Sequence, residues 1–328
     1  MIIKIMIKMK GKILLFVLIL ILIIGCSEVS KEIPSETTKW PEVYFCPREN
    51  CSERMVEVLE SAEESVHCAL FDINLKDVIG VLAEKSKSMD VKLVVDNNYY
   101  HKIKGENVRQ DDNNQLTHNK FCIVDGKKVT TGSFNPTERG AYKNNNNFLV
   151  FYSKYLAENY EDEFDELWNG VFGDGGKVKT PVIYLNNKRV ENYFCPEDDC
   201  KGHVINILRR ARKSVYFMTF SFTDEEIADA ILFNDEAEIK GVFEKTQAGS
   251  KYSQYHRLND FKMDVKKDSN SYNMHHKVFI VDGEIVITGS YNPTGAGSHK
   301  NDENVVVIYD KDIAKEYLEE FELVWGKE

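Results

Sequence analysis

The chain of 328 residues contains only 7 prolines and 19 glycines. Such small numbers exclude a collagen-like or a Pro/Gly-rich disordered protein. Beyond the N-terminal segment there is no long apolar run, which excludes a polytopic membrane protein. With 42% hydrophobic residues, the chain can form one large domain or two ordinary ones, each with its own core.

Positive charge does not balance negative charge: 42 Lys and Arg residues stand against 53 Asp and Glu residues. The formal net charge is −11, and it becomes −15 for residues 27–328 when the four lysines before Cys26 are set aside. A body of this charge repels polyanions on average, so a phosphate-bearing partner must be attracted by a local cluster of cations. Tight, sequence-specific binding of duplex DNA is therefore not expected.

The N-terminus combines lysines with an uncharged, mostly apolar stretch of fourteen residues that ends at Cys26. This stretch is short for a membrane span of about 20 residues but typical of a signal peptide. Residues 23–27 resemble a lipobox, which makes Cys26 the predicted lipid anchor; an uncleaved signal anchor within residues 1–26 is the alternative. Both predict an extracytoplasmic protein tethered to the cell membrane, with residues 27–40 as the linker.

Six cysteines remain after Cys26. Two pairs share a spacing of four intervening residues and a Phe-Cys-Pro context: Cys46 with Cys51, and Cys195 with Cys200. In an oxidising compartment this spacing indicates two local disulfides. A zinc site built from both pairs is the alternative, although two intervening residues are usual in zinc knuckles. Cys68 and Cys122 lie in apolar runs and are predicted to be buried thiols.

The rest of the chain contains one unit twice. Residues 45–47 match residues 194–196 at an offset of 149, and residues 131–137 match residues 288–294 at an offset of 157. The change of offset indicates a single insertion between the two matches, in the second copy. We therefore predict a first lobe at residues 41–176 and a second lobe at residues 177–328.

Each copy alternates helices and strands. The first copy predicts three helices and three strands outside a hairpin: helices at about 53–63 and 77–85 and one ending at Trp168, with strands at 66–73, 91–95 and 148–152. The hairpin pairs residues 121–124 with residues 128–131 around Asp125-Gly126, a turn dipeptide that supplies positive φ. This alternation predicts an α/β fold of two tandem α-β-α sandwich units with mixed sheets, arranged as a pseudo-twofold dimer in one chain.

The candidate catalytic residues lie at this hairpin. His118 and Lys120 precede its turn, and His275 and Lys277 occupy the same positions in the second copy. Residues i and i+2 of a strand share a face, so each His and Lys point together. The hairpin then ends in Gly-Ser-x-Asn in both copies, which supplies these further candidates: Ser133, Asn135, Ser290 and Asn292. Imidazoles, ammonium groups and neutral donors together suit a phosphate.

These two motifs resemble the signature of the phospholipase D superfamily, His-x-Lys, four residues, Asp, six residues, Gly-Ser-x-Asn, and both copies match every fixed position. The resemblance implies that both copies form one active site in a monomer. It implies that one histidine attacks phosphorus to give a phosphohistidine, while the other protonates the leaving oxygen and then activates water. No metal or other cofactor is implied. Asp125 and Asp282 are predicted to be structural turn residues.

The family also places an acidic partner 28 residues after the motif histidine, which is Glu303 in the second copy but Asn146 in the first. A carboxylate favours a protonated imidazole, whereas an amide orients the ring without charge. The resulting hypothesis makes His118 the nucleophile, oriented by Asn146. It makes His275 the general acid and then the base, held charged by Glu303.

The segments that precede the motifs, residues 97–117 and 245–274, bear on the substrate. They interleave cations and tyrosines: Tyr99, Tyr100, Lys102, Lys104 and Arg109, then Lys245, Lys251, Tyr252, Tyr255, Arg257 and Lys262. This pattern fits a single-stranded nucleic-acid groove and fits solvated loops equally well. The main prediction is a metal-independent nuclease acting on single-stranded or non-specific nucleic acid, because the compact copies leave no insertion for an acyl tunnel. The alternatives are a phospholipase D or cardiolipin-type enzyme acting on lipid headgroups and a non-catalytic phosphate-binding module.

Overall fold

The computed structural model describes residues 32–103, 105–112 and 115–326. The chain divides into two units, Met1–Ile33 and Pro34–Glu328, and the second contains both copies of the repeat. The predicted signal segment, the anchor Cys26 and the first part of the linker lie outside the described residues. In the part of the chain that is described, no helix combines the length and apolar character needed to cross a membrane.

Within the described residues, sixteen strands form two mixed sheets. In chain order they are β1 (Ser35–Glu36), β2 (Glu42–Cys46), β3 (Ser65–Leu70), β4 (Asp90–Val95), β5 (Val108–Gln110), β6 (Lys120–Val124), β7 (Lys128–Gly132), β8 (Asn146–Tyr152), β9 (Val182–Leu185), β10 (Lys188–Cys195), β11 (Ser214–Thr219), β12 (Glu238–Phe243), β13 (Asp264–Lys267), β14 (Lys277–Val281), β15 (Ile285–Gly289) and β16 (Glu303–Tyr309). The seven-stranded sheet has the order β2-β8-β7-β6-β3-β4-β5, and the nine-stranded sheet has the order β1-β9-β10-β16-β15-β14-β11-β12-β13. The predicted α/β class with two mixed sheets is confirmed.

Nine α-helices of the described residues cover these sheets. They are α1 (Cys51–Glu60), α2 (Lys76–Lys85), α3 (Glu138–Tyr142), α4 (Lys154–Trp168), α5 (Cys200–Leu208), α6 (Glu225–Leu232), α7 (Gln254–Asp260), α8 (Gly295–His299) and α9 (Lys311–Gly326). The helix predicted to end at Trp168 is α4, and it begins at the capping residue Ser153, whose side chain accepts a hydrogen bond from the Leu156 amide.

Helices α4 and α9 join the two lobes. Each turns its aromatic stripe toward both sheets, and Tyr160 and Phe164 of α4 and Tyr317 and Phe321 of α9 are fully buried. One continuous hydrophobic core contains these four rings together with residues of β6 and β14. Because aromatic side chains bury large apolar areas, this shared core fixes the two lobes against each other.

Strand β1 lies in the segment predicted as a linker. It pairs in parallel with β9 of the nine-stranded sheet, with Ser35 opposite Tyr184 and Glu36 opposite Leu185. The amide of Thr38 also donates to Asn186 Oδ1 at 3.0 Å. The end of this segment is therefore part of the second sheet, a pairing that polar sequence composition alone does not reveal.

All six cysteines of the described residues form disulfides. Cys46–Cys51 and Cys195–Cys200 are the two predicted local bridges, which excludes a zinc site built from their thiolates. The prediction of free thiols at Cys68 and Cys122 is wrong, because these residues are bonded to each other. They lie directly opposite on the antiparallel strands β3 and β6. Three disulfides indicate an oxidising, extracytoplasmic compartment.

Candidate active site

The two motifs meet at the boundary between the lobes. Parallel bridges join Thr117 to Asp302 and Asn145 to Met274. The His118 amide donates to the Asp302 carbonyl at 2.9 Å, and the His275 amide donates to the Asn145 carbonyl at 2.8 Å. Each motif histidine is thus held by the backbone of the opposite lobe. The structure therefore brings the two copies together at one buried site.

The partners of the two histidines are exchanged relative to the prediction. His118 Nδ1 lies 2.8 Å from Glu303 Oε2, and His275 Nδ1 lies 2.8 Å from Asn146 Oδ1. Pairing His118 with Asn146, and His275 with Glu303, is therefore wrong. The physical reason is that Asn146 and Glu303 begin β8 and β16, immediately after the residues that form the bridges to the opposite lobe.

The two motif lysines are almost completely buried beside their histidines. Each Nζ donates to the backbone carbonyl of the histidine two residues before it, and the Lys277 distance is 2.8 Å. Burial lowers the pKa of Lys120 to about 7, and burial together with the charge of Lys120 lowers the pKa of Lys277 well below its usual value. A bound phosphate anion would favour the charged form of both lysines.

Phe71 and Phe220 complete the two histidine–lysine pairs, and the sequence analysis missed them. Their rings contact His118 and His275 edge to face, with centroids 4.8 and 4.6 Å apart. Lys120 Nζ lies 5.2 Å from the Phe71 centroid, and Lys277 Nζ lies 4.9 Å from that of Phe220. The two residues match at the offset of 149, so the repeat itself is the signal that could have found them.

Electrostatics at the site favour neutral imidazoles in the absence of an anion. Burial lowers the pKa of His118 and His275 well below the usual value, and the charges of Lys120 and Lys277 lower both further. Burial raises the pKa of Glu303 to about 7, an effect that Lys120 opposes. A neutral ring whose Nδ1–H is directed at Glu303 leaves the Nε2 lone pair of His118 available to attack.

The motif serines are engaged inside the protein. Ser133 Oγ donates to Asn146 Oδ1 at 3.2 Å and accepts from the Asn147 amide at 3.0 Å. Ser290 Oγ accepts from the Asn304 amide at 2.9 Å. The serines thereby hold the strand ends that carry the histidine partners, and their contact with phosphate stays a prediction.

The motif asparagines are more open than the serines. Asn135 and Asn292 are both half-buried. Within the described residues the Oδ1 atom of each is buried without a hydrogen-bond partner. Their amide groups are the candidates for neutral phosphate donors, as the motif predicts.

A second pair of asparagines crosses the lobe boundary. Asn147 Nδ2 donates to Thr288 Oγ1 at 2.6 Å and to the Tyr317 hydroxyl at 2.9 Å. The equivalent Asn304 accepts from Thr131 Oγ1 at 2.7 Å and from the Tyr160 hydroxyl at 3.3 Å. This network was not predicted, because it depends on which residues of the other lobe lie opposite. It aligns the β8 and β16 ends that carry Asn146 and Glu303.

The two aspartates of the motif are structural, as predicted. Asp125 accepts hydrogen bonds from the amides of residues 63–65, and Asp282 accepts from those of residues 212–214. Both adopt the left-handed conformation of the hairpin turn, with φ of 54° and 57°. They hold the chain that enters β3 and β11.

Three cations of the proposed nucleic-acid groove are engaged elsewhere. The Arg109 guanidinium lies 4.1 Å from the centroid of the Trp168 ring. Arg257 forms an ion pair with Asp229, and Lys245 donates to the Asn270 carbonyl. These contacts hold the three side chains against their own lobes, so they weaken the interpretation of Arg109, Lys245 and Arg257 as polynucleotide contacts.

Among the described residues, no group of three or more His, Cys, Asp or Glu side chains is arranged to hold a metal ion.

Comparisons with known proteins agree with this geometry. A sequence profile described as "Cardiolipin synthase, PLD-like domain" matches residues 55–168 and 204–325. A phospholipase D of Rickettsia felis is 32% identical over 143 residues, which are 42% of this chain and 70% of that protein. A mitochondrial cardiolipin hydrolase of Xenopus tropicalis is 30% identical over 150 residues, 44% of this chain and 70% of that protein.

The fold has a counterpart among solved structures. Phosphatidylserine synthase of Haemophilus influenzae superposes with a TM-score of 0.66 over 85% of each chain, at 11% identity, a likeness of fold alone. Two repeated His–Lys motifs at the meeting point of two mixed sheets define a phosphodiester hydrolase with two similar halves. The chain belongs to the phospholipase D superfamily, which confirms the resemblance drawn from its motifs.

Proposed function

We propose that this hydrolase acts on phospholipid headgroup diesters, as a phospholipase D or cardiolipin hydrolase. The convergence of both His–Lys pairs at one buried site carries the phosphodiesterase chemistry. The choice of lipid is supported by relatives named phospholipase D and cardiolipin hydrolase, each matched over 70% of its length. The lipid hydrolase, which was the alternative in the sequence analysis, thus becomes the main proposal. The nuclease becomes the alternative that the test below can select.

In the first step, His118 Nε2 attacks the phosphorus of the diester. The bound diester anion favours the charged form of His275; the bond from phosphorus to the headgroup oxygen breaks, and the charged ring gives its Nε2 proton to that oxygen. Glu303 accepts the Nδ1–H of His118 and stabilises the cationic ring that phosphorylation creates. The phosphate oxygens are bound by the two lysines and the two motif amides: Lys120, Lys277, Asn135 and Asn292.

In the second step, water attacks the phosphohistidine. His275 Nε2 takes a proton from the water, the phosphorus–nitrogen bond breaks, and a phosphomonoester lipid is released with His118 restored. His275 must therefore exist in both charge states during one turnover. Its neutral partner Asn146 suits that task, because an amide accepts the Nδ1–H without holding the ring permanently charged.

Location beside a bilayer is part of the proposal. The three disulfides support an extracytoplasmic body. Acylation at Cys26, or an uncleaved signal anchor, would place lobes 41–176 and 177–328 next to their substrate. Mass spectrometry of the protein from membranes tests this: a diacylglyceryl group on an N-terminal Cys26 supports the lipoprotein form.

The substrate assignment is tested with the full chain in mixed detergent micelles that contain excess chelator. We expect headgroup release from cardiolipin and phosphatidylglycerol, and no cleavage of single-stranded DNA or RNA under the same conditions. Cleavage of nucleic acid alone would select the nuclease, and cleavage of neither class would leave a phosphate-binding module. Loss of activity in chelator would contradict metal-free chemistry.

Burial of Lys120 serves phosphate binding but should destabilise the folded protein. Its pKa is about 7 in the folded protein but about 10.4 in an unfolded chain. Between these two pH values the unfolded state binds more protons than the folded state, so this lysine makes the free energy of unfolding rise from pH 7 to about pH 10. Below pH 7 the lysine is charged in both states, and its burial then destabilises the folded protein to the full extent. Lys120→Met should therefore raise the free energy of unfolding at pH 6 by about 2–4 kcal/mol while activity is lost.

Denaturant titrations from pH 6 to pH 9 measure this effect. Lys251→Met is the matched control, because Lys251 is exposed and its replacement should change stability by less than about 0.5 kcal/mol. The prediction is contradicted if Lys120→Met is less stable than the wild type at pH 6 and its free energy of unfolding depends on pH in the same way as that of the wild type.

A further inference from the structure

Lys102 and Asp72 form an ion pair at the first-lobe edge of the site. Lys102 Nζ lies 2.6 Å from Asp72 Oδ1, and the two side chains are 25% and 18% exposed. The pair is therefore held in place but still reached by solvent. Asp72 takes one of the three N–H donors of the ammonium group, which can donate in three directions.

Aromatic rings connect this pair to the reacting histidine. Lys102 Nζ lies 4.4 Å from the centroid of Tyr99, and Tyr99 packs edge to face on Phe71 at 4.9 Å. Phe71 in turn contacts His118. The negative charge of Asp72 also acts on Lys120, as it opposes the lowering of that lysine's pKa by burial. Two aromatic rings thus connect Lys102 to His118.

This ion pair is not repeated at the matching position of the second lobe. The residue that matches Asp72 at the offset of 149 is Ser221. The cations of the corresponding segment include Lys245 and Arg257, which contact the Asn270 carbonyl and Asp229. The Lys102–Asp72 ion pair therefore belongs to the His118 side and makes the two sides of an approximately symmetric site different.

A groove of mixed character borders Lys102. It has a volume of about 530 Å³, lies between α2 and the β4–β5 edge, and combines apolar side chains with polar ones: Ile79, Leu82, Val91, Leu93, Ile103 and Val108 with Ser86, Glu106 and Asn107. A cation next to apolar surface suits an anionic lipid, whose charged group and chains are adjacent. A polynucleotide offers no such chain.

We propose that Lys102 binds a second anionic group of the substrate, the additional phosphodiester of a bis-phosphate glycerolipid of the cardiolipin class. This inference rests on the proposed lipid hydrolase function. The body carries a charge of −15, so a doubly anionic lipid needs a local cation to approach the site. Asp72 and Tyr99 hold that cation in position, so that little side-chain freedom is lost on binding.

The experiment compares cardiolipin with phosphatidylglycerol, which has only the scissile phosphate, in mixed micelles with the full chain. Lys102→Met keeps the apolar stem and removes the charge. We expect it to raise the KM for cardiolipin about tenfold, since a hydrogen bond to a charged group is lost. The KM for phosphatidylglycerol should change by less than about twofold, with kcat retained for both lipids.

Lys102→Arg should restore the cardiolipin KM, and Lys251→Met on the second lobe is the matched control. Equal increases of KM for both lipids, or no increase for cardiolipin, would overturn the role of Lys102 alone. A wild-type protein that releases headgroups from neither lipid would overturn the proposed function and this inference with it. Cleavage of single-stranded DNA that depends on Lys102 would assign the subsite to a polynucleotide and overturn the lipid assignment.

Discussion

Replacement of His118 by asparagine is expected to lower kcat/KM for headgroup release by about 10⁴-fold or more, since the attacking atom is removed. His118 Nε2 is the proposed nucleophile because Glu303 accepts the proton on Nδ1 and stabilises the charge formed on the ring. A substrate labelled at the scissile phosphorus, with acid-free quenching, measures the intermediate directly. Wild-type protein should carry the label, and His118→Asn should carry none.

His275→Asn gives the complementary result. The nucleophile remains, but the group that activates water is absent, so a phosphohistidine at His118 should accumulate when the leaving group needs no proton, as with a nitrophenyl ester. His256→Asn is the matched control, because His256 is exposed on α7. Peptide mapping of the labelled wild-type protein and of the variant locates the label. Phosphate found on His275 of the wild-type protein would reverse the two roles.

The internal repeat explains why much of the fold could be predicted. Two copies of the hairpin gave the same turn at Asp125-Gly126 and at Asp282-Gly283, and all four residues have positive φ in the structure. The apolar spacing that ends at Trp168 predicted α4, whose aromatic stripe is buried. Strand alternation also placed His118 and Lys120 together. Each of these features depends on contacts within one lobe and close in sequence.

Features that depend on strand neighbours could not be predicted. Cys68 and Cys122 are 54 residues apart, and their bond follows from the register of β3 against β6. At the repeat offsets of 149 and 157 their counterparts are Phe217 and Phe279, so the second copy gave no hint of a disulfide. An apolar run indicates burial of a cysteine but not the residue it faces.

The exchange of histidine partners has the same origin. A spacing of 28 residues relates His118 to Asn146 and His275 to Glu303 within each copy. In the folded chain each partner begins a strand whose preceding residue is bridged to the other lobe. Sequence spacing measures position along one copy, whereas the site is assembled across two. The prediction therefore identified all four residues but joined them incorrectly.

The exchange also changes which half of the site carries negative charge. Asp302 and Glu303 both lie beside His118, and their counterparts Asn145 and Asn146 lie beside His275. Asp302 accepts from the Gly173 amide at 2.6 Å, and burial raises its pKa to about 7. Two buried acids on one side and two amides on the other make the histidines chemically different. Because the two copies differ at these positions, His118 can act as the nucleophile beside acidic groups, while His275 can donate and accept protons beside neutral amides.

Glu303→Gln tests the role of the acid beside His118. We expect it to lower the rate of phosphohistidine formation by about 10²- to 10³-fold. The glutamine can keep a hydrogen bond to His118 Nδ1, but it no longer offers a negative charge to the cationic ring. Rapid-quench measurement of labelled protein gives this rate. The effect should be larger on formation than on hydrolysis, because His118 acts as nucleophile only in the first step.

Asn146→Ala is the matched variant on the other histidine. It removes the acceptor at 2.8 Å from His275 Nδ1, and we expect about a tenfold slower hydrolysis of the intermediate. Asn146→Asp should instead raise the pKa of His275, because a carboxylate favours the charged ring, and should move the alkaline limit of headgroup release by about one pH unit or more upward. Proton donation then persists to higher pH, while water activation weakens at low pH. If Glu303→Gln slowed hydrolysis only and Asn146→Ala slowed formation only, the two histidines would have the opposite roles even though their partners are those seen in the structure.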